Sequence, residues 1–153
     1  MRDPVHEWKQ EGRIFVWRYA EPNRSWSGWH FTGDPTGCRS LRDLLARMSG
    51  GIARYRTLDL APVTQPILAV PNYGHDIKGC FEKLRIEFLP EFPDLRMETD
   101  ANSLTMTVGE SRVRDLAAAF AEVEIGRGDF AIQTSDGRQK VQWMFWWMLT
   151  EQT

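Results

Sequence analysis

Apolar residues recur at two spacings along this chain. Across 111–124, Val113, Leu116, Ala117 and Phe120 fall on one side of a 3.6-residue repeat and predict a helix. Leu41, Leu44, Leu45 and Met48 hold the same phase and predict another of about ten residues, with Ser40 and Ser111 as the expected N-caps and Gly50-Gly51 as the exit of the first. Elsewhere the period is two. Strands are predicted over 13–20, 26–32, 54–60, 67–70, 83–88, 95–99, 104–108, 129–133 and 140–149, and turn chemistry separates them, as at Glu21-Pro22-Asn23-Arg24-Ser25 and Asp136-Gly137. A four-residue connection, Asp100-Ala101-Asn102-Ser103, is expected to close one hairpin. The terminal strand stands apart: Val141, Trp143, Phe145 and Trp147 alternate with Met144, Trp146 and Met148, so neither side is polar. Such a strand lies inside a sheet and is covered twice, or it buries its second side against another chain or a ligand.

The two helices sit in matching surroundings. Arg42-Asp43-Leu44 returns as Arg114-Asp115-Leu116, and each half of the chain, 13–70 and 83–149, contains a β-β-α-β order followed by a further strand. This predicts a single α+β domain over 1–153, with a mainly antiparallel sheet, both helices packed on one face and an internal pseudo-repeat. The opposite face is then concave or paired, and surplus aromatic side chains belong there.

Composition narrows the class. With 153 residues the chain can enclose a core without metal or disulfide support, and its two cysteines, Cys38 and Cys80, are too few for a disulfide framework. It opens Met-Arg-Asp-Pro-Val-His-Glu, unlike a secretory signal, and no run approaches the roughly 18 apolar residues of a membrane span. A cytoplasmic protein with no membrane partner is the expectation. Nineteen basic residues against 21 acidic ones leave a net charge of -2, which gives no general attraction to nucleic acid. The seven tryptophans exceed what one small core needs, and each asks for an indole N–H partner if buried, which predicts that some line a groove or an interface.

Four groups of residues carry candidate chemistry. Trp26, Trp29 and His30 beside Arg24, with Tyr73 and Trp146, have the makings of an aromatic recognition surface. The loop Thr32-Gly33-Asp34-Pro35-Thr36-Gly37, followed by Arg39 and Arg42, could present backbone N–H groups to a small anion or nucleotide, although it has neither the lysine of a Walker loop nor dinucleotide glycine spacing. His75 with Asp76 or Cys80 combines a base, a carboxylate and a thiol, the parts of a small hydrolase or transferase, provided the imidazole comes within about 3 Å of its partner. His6, His30 and His75 show no metal-ligand spacing, so neither a metal nor another cofactor is expected.

The segment 33–48 together with the tryptophan-rich end resembles fragments of small bacterial proteins, immunity proteins of toxin systems among them. The similarity contains no catalytic motif and transfers no residue role. It implies only a protein that works by contact with another. The leading expectation is therefore a non-enzymatic interaction module, immunity-like or inhibitory, that binds a protein partner or itself through an aromatic surface. The hydrolase or transferase and the anion-binding site at Gly33 to Arg42 stand as alternatives.

Overall fold

Helix starts in this chain are set by backbone chemistry rather than by the first apolar residue. The structure, a computed structural model, describes residues 3–20, 28–74, 76–79, 81–136 and 139–148. In chain order its elements are α1 (Pro4–Glu7), β1 (Ile14–Trp17), β2 (Trp29–Gly33), α2 (Pro35–Met48), β3 (Arg54–Asp59), α3 (Gln65–Ala69), β4 (Lys83–Phe88), β5 (Leu95–Asp100), β6 (Ser103–Val108), α4 (Glu110–Glu124), β7 (Phe130–Asp136) and β8 (Gln139–Phe145). Helix α2 begins five residues before the expected Ser40. Asp34 caps it, accepting from the Gly37 N–H at 2.6 Å, and Pro35 supplies a first helical residue whose missing N–H costs nothing there. Helix α4 is likewise preceded by Gly109 rather than capped by Ser111.

The strands form two four-stranded mixed sheets, β1-β2-β8-β7 and β5-β6-β4-β3. They meet through one register pair, Arg96 with Ser135, which makes a single order of eight. Each sheet repeats the same pattern of antiparallel, parallel and antiparallel pairings, so the expected mainly antiparallel sheet is corrected to a mixed one. The cause is an exchange between halves. The repeating unit is β-β-α-β-β, and the last hairpin of each half inserts its inner strand beside the other half's β-β pair: β8 runs parallel to β2, and β4 parallel to β6. The halves divide between Phe88 and Leu95, not between 70 and 83. Residues 67–70, expected as a strand, belong to α3 and its cap; four apolar residues after Pro66 fit one helical turn as well as a short strand.

Helices α2 and α4 pack against each other on one side of the sheets, with α1 beside α2. Leu44 and Leu116, the matching letters of the two Arg-Asp-Leu triplets, are both fully buried in this core. Carboxylates clasp the pair at both ends. Glu124 takes Arg42 at 2.8 Å and Arg39 at 3.3 Å, and Glu110 accepts from the Ser49 hydroxyl at 2.7 Å and from the Gly50 N–H.

The reverse side breaks the simple picture of two helices on one face. In the β1-β2-β8-β7 sheet, Phe15, Trp17, Tyr19, Met144 and Trp146 form a second core there, and the arm 61–77, α3 included, lays Val63, Ile67, Leu68, Val70, Tyr73 and Ile77 over it. The terminal strand β8 is thus interior, and at Met144 its second side is covered from within the chain, whereas Lys140 and Gln142 on that side are exposed. It ends at Phe145, four residues short of its expected limit. The same arm and the residue after it close the outer edge of β1: the Ala61 N–H donates to the Ile14 carbonyl at 2.9 Å, and the Lys78 N–H donates to that of Arg18 at 2.7 Å. On β3 the amide of Gln10 replaces a neighbouring strand, exchanging two 2.8 Å hydrogen bonds with the backbone of Asp59.

Candidate interaction surface

Most of the aromatic residues expected at a binding surface are enclosed by their own chain. Trp29 is buried against the helix side, where its ring meets Phe81 edge-on at 5.5 Å. His30 and Trp146 are buried on the reverse side, stacked on each other, with the Trp146 indole donating to His30 Nδ1 at 3.0 Å. Trp17 stacks on the other side of His30, and Tyr19 meets it edge-on at 4.9 Å. Tyr73, part of the arm, packs edge-on against Tyr19 and is half-buried. Burial raises the Tyr19 phenol above its ordinary range, an effect that the nearby Trp17 N–H opposes and Tyr73 reinforces. Trp29, His30 and Trp146 are therefore core side chains: Trp29 packs into the helix-side core, and the arm supplies for the other two the cover that the sequence pattern left open. Trp26 lies outside the described residues.

Arg39 and Arg42 both turn to Glu124, and the start of α2 is filled by its own chain. The Asp34 carboxylate sits where an anion would, accepting from the Gly37 N–H and from the Arg13 N–H at 3.1 Å. A β-carbon on Gly37 would press on the Arg13 carbonyl, so the loop has no spare room. His75 and Cys80 lie outside the described residues. Asp76 is exposed, and its carbonyl accepts from the Ala20 N–H at 2.8 Å as part of the β1 seam. Cys38 faces the core, with its thiol 3.7 Å from the Gly33 carbonyl and its pKa pushed up to about 12, first by burial and then by Glu124 and Asp34. No cluster of His, Cys, Asp and Glu that could hold a metal ion occurs among the described residues.

What stays open is the reverse side of the β5-β6-β4-β3 sheet. Its helix-facing positions, such as Leu58, Ile86, Met97 and Met106, are buried, and the alternate positions form polar rows across the strands. One row runs Tyr55, Glu87, Thr107, Arg96, and the next Thr57, Arg85, Thr105, Glu98. Charges of opposite sign alternate along and between the rows, with Arg85 paired to Glu87 at 2.7 Å and Arg96 to Glu98 at 3.0 Å. At the outer corner, Asp59 pairs with Lys83 and holds the exposed lysine's pKa above its ordinary value, chiefly through their hydrogen bond.

One end of this face is apolar. Tyr55 is 55% exposed and Leu89 38%. The register that pairs Tyr55 with Glu87 places Leu89 diagonally beside the ring. The Arg85 guanidinium covers Tyr55 at 3.6 Å, and Arg96 lies 5.0 Å from the ring of Phe92, which a tight turn links to Leu89. Two arginine–aromatic pairs thus flank an exposed leucine across three strand spacings, about 14 Å. None of these residues was a candidate in the sequence. The period of two over 83–88 predicts a strand with Arg85 and Glu87 on its polar side, but nothing in it says that Tyr55 joins that side.

No helix among the described residues is long and apolar enough to cross a membrane. No protein-family model matches the chain, and no curated protein or solved structure matches it.

Proposed function

We propose that this chain is a non-enzymatic protein-binding module that receives its partner on the open side of the β5-β6-β4-β3 sheet, at the end marked by Tyr55, Leu89 and Phe92. The observation that carries this reading is the gathering of exposed apolar side chains beside two arginines held on aromatic rings. Tyrosine and arginine are the residue types that dominate interface energetics, since both combine large contact area with polar ends. The alternating charges of the adjoining rows suit a partner that offers an apolar anchor ringed by mixed charge, and they disfavour one of a single sign.

The test is photo-crosslinking in the native host with p-benzoylphenylalanine at position 55, and at Ile125 as an exposed apolar position on α4. A discrete adduct at 55, absent at 125 and lost with Arg85→Ala and Leu89→Asp, is expected. Adducts at neither position, or equal adducts at both, count against the reading. An adduct at the mass of twice the chain identifies the partner as a second copy.

A further inference from the structure

Arg18 is a half-buried cation that the fold leaves without an acceptor among the described residues. It follows Trp17 on the side of β1 that carries Ile14 and Val16, at the seam where the Lys78 N–H fixes its carbonyl. The guanidinium lies 4.9 Å from the centre of the Trp29 ring and 5.8 Å from that of Phe81. Nε is buried with no hydrogen-bond partner, whereas the two Nη atoms are not among the buried, unpartnered atoms and reach solvent. The other described arginines are ion-paired, bonded to backbone carbonyls as Arg56 is, or exposed on a helix as Arg114 is. Arg96, whose Nε also lacks a hydrogen bond, still has Glu98 beside it. Nearby carboxylates do not serve Arg18: Glu82 takes the Asn102 amide at 2.7 Å, and Asp76 is exposed and makes no ion pair with it.

A guanidinium taken partly out of water without a partner is unfavourable, and cation–π contact returns only part of the loss. The same contact fixes the plane of the group in advance, so little freedom is lost when a ligand arrives. A planar two-donor fork matches a planar carboxylate in two-point contact. Tetrahedral anions are usually held by several backbone N–H groups or a helix start, and here the adjacent Lys78 N–H is already committed to Arg18 itself. We infer that Arg18, on its Trp29–Phe81 platform, is a carboxylate-binding residue, filled by a free organic acid or by an acidic side chain of another protein. The site is on the helix-facing side of the other sheet, so it stands or falls separately from the Tyr55 surface.

The test follows arginine Nε–H resonances of the full chain by NMR during titration with sodium acetate, sodium benzoate, inorganic phosphate and a hexaglutamate peptide at constant ionic strength. A saturable movement of the Arg18 signal with carboxylates is expected, with Arg114 as the unresponsive control. Arg18→Lys, read through tryptophan fluorescence, should weaken binding by about tenfold or more. Response to acetate or benzoate assigns the source to a free acid; response to hexaglutamate alone assigns it to an acidic chain. No saturable change with any carboxylate, or an equal response to phosphate, overturns the inference. The wild-type titration decides the matter even if the lysine variant does not fold.

Discussion

Single side chains in this protein show how unevenly burial is compensated. The indole of Trp8 finds the Ser40 carbonyl at 2.9 Å and that of Trp146 finds His30, yet the indole N–H of Trp143 is buried with no partner. A count of tryptophans could announce the demand for partners but not which rings would meet it, because the partners come from strands far away in the chain. Cys38 makes the pH consequence explicit. Its thiol ionises near its ordinary value of 9.0 when unfolded and at about 12 when folded. Between those values the unfolded chain has released a proton that the folded chain keeps, so stability falls as pH rises through that window. Denaturant titrations from pH 8 to 11 should show the loss, and Cys38→Ala should flatten it. At neutral pH the thiol should react with an alkylating reagent at the rate of global or local opening, many times more slowly than in denaturant. A native rate equal to the unfolded one would contradict this burial.

At the level of elements, the stripes of apolar residues located α2 and α4 because a helix face is a local property. The boundaries failed where chemistry outranked the stripe: Asp34-Pro35 is a capping residue followed by a helix-compatible proline, and it starts α2 before any leucine appears. The β5–β6 connection is also tighter than its letters suggested, with Ala101 and Asn102 alone between paired ends. Ala101 has φ of 54°, a left-handed conformation that an alanine side chain disfavours. Ala101→Gly should therefore raise stability by roughly 0.5–1 kcal/mol, after subtracting the greater freedom of glycine in the unfolded chain. An unchanged or lower denaturation midpoint would show that the turn is not strained in solution. Gly109 has the opposite character, since a β-carbon there would collide with the Phe92 carbonyl.

For the whole molecule, the decisive feature is the arm 61–77, which covers the reverse side of β1, β2 and the end of β8 and lays no such cover on the other sheet. Neither fact is local. Trp146 and His30 looked like surface candidates because nothing in their own segments names the cover, and Tyr55 passed unnoticed because its exposure depends on where the arm does not go. Leu68→Asp should loosen the cover, lowering stability by about 2 kcal/mol, shifting tryptophan emission to longer wavelength and admitting a hydrophobic dye, while the α2–α4 core still unfolds cooperatively. Emission unchanged from wild type would mean that the arm does not shield the rings. The exchange of inner strands between halves reaches further still. A chain cut between Phe88 and Leu95 would yield two pieces, one holding β2 without its parallel neighbour and the other holding β6 without its own. Neither piece then holds a complete sheet, so each alone should stay unfolded by circular dichroism and the two should regain the native signal only when mixed.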